Sequence, residues 1–240
     1  MSGSAHSSPR GARPGLWQEV GWIVGRDLLR ERRTLGVVTM SVLLVSGVVA
    51  ACALVGGELG RDELACAAIW VSIAFAGVYS ASNAYAREQS SGVLQVLLCG
   101  PLRGVSLFLG KAVVVLLVTF LGALAATGLS ALLIHSQGLL SWPGRVLLLV
   151  AAGCFGFSVV GALVAPLLGL GAGREALLSL VLLPLGVPII VAGARGTAAL
   201  FSAPAALDVY VDSLGIVLGL DALFLALALW LFDPLVRRAG

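Results

Sequence analysis

Long apolar runs alternate with short polar intervals along most of the chain. Six of these runs, at 35–55, 64–82, 112–134, 146–170, 176–194 and 214–232, are long enough to cross a bilayer as helices. A span takes about 20 mostly apolar residues, because in lipid every backbone N–H and C=O must be satisfied within the helix. An even number of crossings returns both termini to one side. The segment "LWQEVGWIVGRDLLRERR" (16–33) has a different pattern: Leu16, Val20, Ile23, Val24 and Leu28, with Trp17 at the edge, share one helical stripe, and Glu19, Arg26, Arg30 and Arg33 lie opposite. A basic amphipathic helix carrying Trp17 and Trp22 beside a span is expected to lie in the membrane interface, as an anchor or as a shoulder for a partner. The predicted architecture is an all-α polytopic membrane protein. It has a disordered tail (1–15), an interfacial helix (16–33) and one six-helix membrane domain (34–240).

Composition supports that reading. Of the 240 residues 59% are hydrophobic and 11% charged, against roughly a quarter charged in soluble domains, and no polar segment is long enough to bury a core of its own. The first 15 residues lack the apolar stretch of a secretory signal. Charge then orients the chain. With the N-terminus inside, twelve of the fifteen Lys and Arg residues fall on the cytoplasmic face and three, Arg61, Arg145 and Arg195, on the outer face, which the positive-inside rule reads as N-in and C-in. These cations are spread along one membrane face without interleaved stacking aromatics, so no nucleic-acid partner is expected. The four cysteines, Cys52, Cys66, Cys99 and Cys154, have neither disulfide nor metal-ligand spacing and read as small packing residues.

The interval "NAYAREQSSGVLQVLLCGPLRG" (83–104) is the longest cytoplasmic connection after the N-terminal arm. Its polar start reads as a turn out of the membrane. Val93, Leu94, Leu97 and Leu98 then fall on one helical face, and Gly100-Pro101 ends the helix. A short amphipathic helix at that level can enter a groove on a soluble partner and transmit a push, or simply rest at the interface.

Candidate chemistry is sparse. "GVSLFLGKA" (104–112) is one residue too long between its glycines for a phosphate loop and ends in Ala where Ser or Thr should hold magnesium. Lys111 is therefore expected to snorkel to the interface. Ser158, in "GFS", has no base in sequence to activate it. Asp221 lies inside the last apolar run, where a carboxylate either contacts a proton or substrate or is packed between helices. His135, at the outer end of the third run, is a candidate haem contact. Pro184 and Pro188 predict a kink in the fifth run, and Gly215 and Gly219 a close helix approach. No catalytic residue and no metal site is expected, and no cofactor is assigned to the chain itself.

The segment "REQSSGVLQVLLCGPLRGVSLFLGK" (87–111) resembles the cytoplasmic loop of the CcmB family, through Glu88, Gly92, Leu94, Leu97, Pro101 and Lys111. Where that family carries Glu after the first Leu, this chain has Gln95. "GLGAGREALLSLVLLPLGVPII" (169–190) is similar to the family's glycine-rich loop followed by a Leu-Pro-Leu-x-x-Pro run, and "GCFGF" (153–157) lacks the family's proline. The resemblance implies an ABC-2-like permease of the bacterial inner membrane, with haem as its possible cargo in cytochrome c biogenesis. It further implies a homodimer working with a CcmA-like ATPase that binds ATP, and with CcmC, CcmD and CcmE-like haem-handling proteins. On that reading Arg87 and Glu88 orient the coupling loop, Leu94, Leu97 and Leu98 pack it, Gly92 opens its helix, and Gln95 faces the ATPase. An ABC-2 permease for a lipid, drug or polysaccharide, or an intramembrane enzyme, are the alternatives.

Overall fold

The structure, a computed structural model, describes residues 15–34, 36–55, 60–90, 104–167, 174–202 and 205–239. The described chain is helical: α1 Leu16–Thr34, α2 Gly36–Val55, α3 Arg61–Ser90, α4 Gly104–Leu133, a short α5 Gln137–Ser141, α6 Pro143–Leu167, α7 Arg174–Phe201 and α8 Leu207–Ala239. Six of them, α2, α3, α4, α6, α7 and α8, are long and apolar enough to cross a membrane. α1 stands apart as the polar helix ahead of them.

α3 and α6 form the centre of the bundle. Within their apolar windows 67% and 72% of residues are buried, against 17% in α2 and α8 at the two flanks. α2 packs on α3 and α4, and α8 packs on α6 and α7, while α3, α4, α6 and α7 make the mutual contacts between them. Hydrophobic transfer does not drive helices together in lipid, so close approach depends on small residues that admit large ones. Trp70 supplies one such contact. It is 1% exposed, and its ring lies against Gly153 and Gly193, where a Cβ at Gly153 would come within 2.6 Å of Cζ3. Its indole Nε1–H donates to Thr197 Oγ1 at 3.0 Å, which satisfies the one polar atom that burial would otherwise leave unpaired. Phe157 makes the matching contact with Gly77 and Gly186. These two aromatics lock α3, α6 and α7 together.

Outward-facing Leu43, Leu132, Leu148, Val191, Leu218 and Trp230 are each more than half exposed, as a lipid-facing belt requires. Helix α7 runs through Pro184 and Pro188 without interruption. Gly215 and Gly219 have no described atom within 4 Å of a notional Cβ. Their predicted close approach is not made within this chain, because α8 turns that face outward.

Several boundaries differ from the sequence reading for one reason: a helix continues past the hydrocarbon wherever its next residues also favour helix. α3 extends to Ser90, so Arg87 and Glu88 prolong a span where a turn was expected. α4 begins at Gly104, two turns ahead of the predicted start of its run, and α8 begins at Leu207.

Candidate functional site

The added turns of α4 carry polar interior contacts to α1. Helix α1 lies on α4 with Val20 and Ile23 buried, and Ile23 fills the space left by Gly110, where a Cβ would come within 2.7 Å of Ile23 Cγ2. Two polar links flank this contact. Glu19, 3% exposed, accepts a hydrogen bond from the buried Ser106 hydroxyl. Two helical turns further along α1, Asp27 Oδ2 accepts from Lys111 Nζ at 2.7 Å, and its other oxygen, Oδ1, accepts from Arg26 Nε at 3.1 Å. Lys111 does not snorkel: it is 2% exposed. A lysine with an acid within reach in a low-dielectric site gains more from the ion pair than from stretching to water. Glu19 likewise lies on the packed side of α1 and not on a solvated polar face.

Glu31 completes the assembly. Its Oε1 accepts from the backbone N–H groups of Val37 and Val38 at 2.7 and 3.1 Å. Those donors in the first turn of α2 have no partner inside their own helix, and the carboxylate sits where the helix dipole favours negative charge. α1 is thus fastened to α4 by its packed face and to α2 by its last turn. Nearby, Ser80 and Thr119 join α3 to α4 through their hydroxyls at 2.7 Å.

Among the residues predicted to couple to an ATPase, Arg87 and Glu88 fall in the last turn and a half of α3. Gly92, Leu94, Gln95, Leu97 and Leu98 lie outside the described residues. The chain re-enters the described structure at Gly104, so α4 begins where that connection ends, and Ser106, Gly110 and Lys111 occupy its first two turns. The acids of α1 and their partners on α4 escaped the sequence reading. The available signal was weak: acids in an otherwise basic helix, and a lysine heading an apolar run.

Asp221 is 2% exposed on α8, against Gly156 of α6 and next to Ile189. Among the described residues neither carboxyl oxygen has a hydrogen-bond partner. Ser158 is buried in α6 and donates to Phe155 O of its own helix at 2.7 Å. It lies fifteen residues beyond Pro143, roughly 22 Å of helical rise, while His135 is exposed before α6 begins. The structure does not bring these two together.

At the opposite end of the bundle from α1, Asp62 Oδ1 accepts from Ser136 Oγ and from Gly138 N, the latter at 3.2 Å. Ser136 in turn caps α5 by accepting from Leu139 N at 3.2 Å. This pins a tight turn in which His135 adopts φ 55°, a left-handed conformation that few side chains other than those of Asn, Asp and His take up readily. His135 lines a cavity of about 400 Å³ together with Arg61, Glu63 and Gln137. Among the described residues no group of three or more His, Cys, Asp or Glu side chains is arranged to hold a metal ion.

A family model described as CcmB protein matches residues 19–237. No curated protein and no solved structure matches the chain.

Proposed function

The chain belongs to the CcmB family, the membrane component of a haem-exporter ABC system, and on that premise we propose that it is the permease subunit through which a separate ATPase chain drives haem export or haem-chaperone release in cytochrome c biogenesis. ATP is bound by a CcmA-like partner, and CcmC, CcmD and CcmE-like proteins handle haem around a homodimer of this chain in the bacterial inner membrane. One observation carries the mechanical part of this reading: the first two turns of α4, next to the 91–103 connection, are clamped to α1 through Glu19–Ser106, Ile23–Gly110 and Asp27–Lys111. A push on that connection is delivered to α4 and α1 as one body. It passes across the bundle through the tightly packed α3, α6 and α7, because close-packed interiors transmit displacement instead of absorbing it. In this proposal Leu94, Leu97 and Leu98 pack the coupling helix that Gly92 opens, Gln95 faces the ATPase, and Arg87 and Glu88, at the end of α3, orient the loop. His135, exposed at the other face, is the proposed haem contact, and Asp221, buried in α8, the proposed intramembrane polar site.

The test is deletion of the gene followed by complementation. Loss of covalently haem-bearing c-type cytochromes, restored by the wild-type chain, is expected. Leu94→Asp combined with Leu97→Asp should fail to restore them and should no longer retain an ATPase on a tagged copy, while still inserting in the membrane. Normal cytochromes in the deletion strain would remove the haem assignment. An ATPase retained by the double variant would remove the loop from its role.

A further inference from the structure

One buried acid takes no part in the α1 clamp. Asp221 is 2% exposed on α8, fourteen residues after the apolar window of that helix begins at Leu207 and ten before it ends at Leu231. Those stretches rise about 21 and 15 Å, which sets the carboxyl deep in a hydrocarbon core of roughly 30 Å. Its surroundings are closed. A Cβ at Gly156 of α6 would run into Asp221 Oδ1 and come within 2.6 Å of Ile189 Cδ1 on α7, so the carboxyl rests on the α6 backbone with Ile189 beside it. Neither oxygen has a hydrogen-bond partner among the described residues.

The ionisable groups of the helices packed on α8, which are α4, α6 and α7, lie elsewhere. On α6, Cys154 is two residues from Gly156 and about 200° round the helix, and Arg145 is eleven residues away over the ring of Trp142. On α7, Arg195 is exposed six residues beyond Ile189, and Arg174 and Glu175 stand in the first turn. On α4, Lys111 is paired with Asp27. On α8 itself the nearest are Asp212 and Asp233, nine and twelve residues off. A lone carboxylate in such a place is costly enough that it neutralises instead. A metal ion would need room and further donors, since hard cations in oxygen sites take about six or more ligands, and among the described residues no group of three or more His, Cys, Asp or Glu side chains stands together. A proton needs neither.

We infer that Asp221 is a proton-binding site, and that the protonated carboxyl is the form that closes α8 onto Gly156 of α6. Loss of the proton leaves a bare charge against the α6 backbone that only water can relieve, so α8 draws away. It is lightly held: 17% of its window is buried, against 72% in α6. The contact is favoured while the proton is bound and lost as rising pH removes it. This gives the intramembrane polar site named above its ligand; it rests on that reading of Asp221 and on neither the cargo nor the ATPase.

Infrared spectra of the full-length chain in phosphatidylcholine nanodiscs, without ATPase or haem, test this apart from the cytochrome assay. At about pH 6 the difference between wild type and Asp221→Asn should contain the C=O stretch of a protonated carboxyl, shifted in D2O, and by about pH 10, where even deeply buried carboxyls ionise, a carboxylate band should replace it. Over the same change, hydrogen exchange across 217–225, corrected for the chemical effect of pH, should rise about fivefold or more in the wild type and stay within about twofold in Asp221→Asn and Asp221→Leu, which remain uncharged. A carboxylate band at about pH 6, or a protonated band that persists at about pH 10, overturns the proton site. Equal exchange in the wild type and both variants overturns its hold on the contact between α6 and α8.

Discussion

Lys111→Met isolates the contact on which the α1 clamp depends. The lysine side chain is 3% exposed and that of Asp27 11%, so the variant leaves a carboxylate largely out of water with only Arg26, itself 39% exposed, beside it. Removing one partner of a buried pair costs about 3–5 kcal/mol, and residual screening by Arg26 and solvent places this case near the lower end, at about 3 kcal/mol. The loss falls on α1, because the six spans retain their own packing, so the expected event is local detachment and not global unfolding. When opening and closing are fast relative to cleavage, proteolysis follows the population of the open form. With every 1.4 kcal/mol worth tenfold, trypsin cleavage at Arg26 and Arg30 in detergent micelles should rise roughly 100-fold. The double variant Asp27→Leu with Lys111→Met removes both charges and replaces them with apolar groups of similar size, a change that is often neutral or stabilising; cleavage within about threefold of wild type is expected. If the single variant also stays within about threefold, the pair does not hold α1. If the double variant is as labile as the single, the damage comes from lost packing and not from an orphaned charge.

Two further substitutions probe the bundle. Gly193→Ala drives a methyl group into the Trp70 ring, which has no retreat because Gly153 backs it and Thr197 holds its Nε1; overpacking of this kind costs about 1–3 kcal/mol and should lower the thermal midpoint in size-exclusion assays, an unchanged midpoint contradicting the described packing. Asp221→Leu replaces a buried carboxyl that has no hydrogen-bond partner among the described residues with a group of nearly the same shape, so stability should rise by about 1–3 kcal/mol; a fall would contradict the unpaired carboxyl.

The spans themselves were legible because crossing a bilayer is a local property: each needs only enough consecutive apolar residues, and all six runs of the sequence coincide with helices. The same is true of α1, whose polar and apolar residues alternate with helical period. Rotation of each span was not legible. A helix that is apolar all round carries no stripe to say which face meets lipid and which meets another helix, so nothing in the sequence placed Gly153 and Gly193 on Trp70, or turned Gly215 and Gly219 outward. Span ends were blurred for a related reason, since polar residues such as those of 83–90 can continue a helix beyond the hydrocarbon.

The membrane class, the number of crossings, the charge asymmetry of the two faces and the CcmB likeness of the connection at 83–104 follow from the order of residues alone. The pairing of the few polar groups does not, because it depends on how the helices pack. Glu19 meets Ser106, Asp27 meets Lys111 and Trp70 meets Thr197, across separations of 87, 84 and 127 residues. Such partners are chosen by the low dielectric of the place where the helices meet, and that place exists only once the helices have packed.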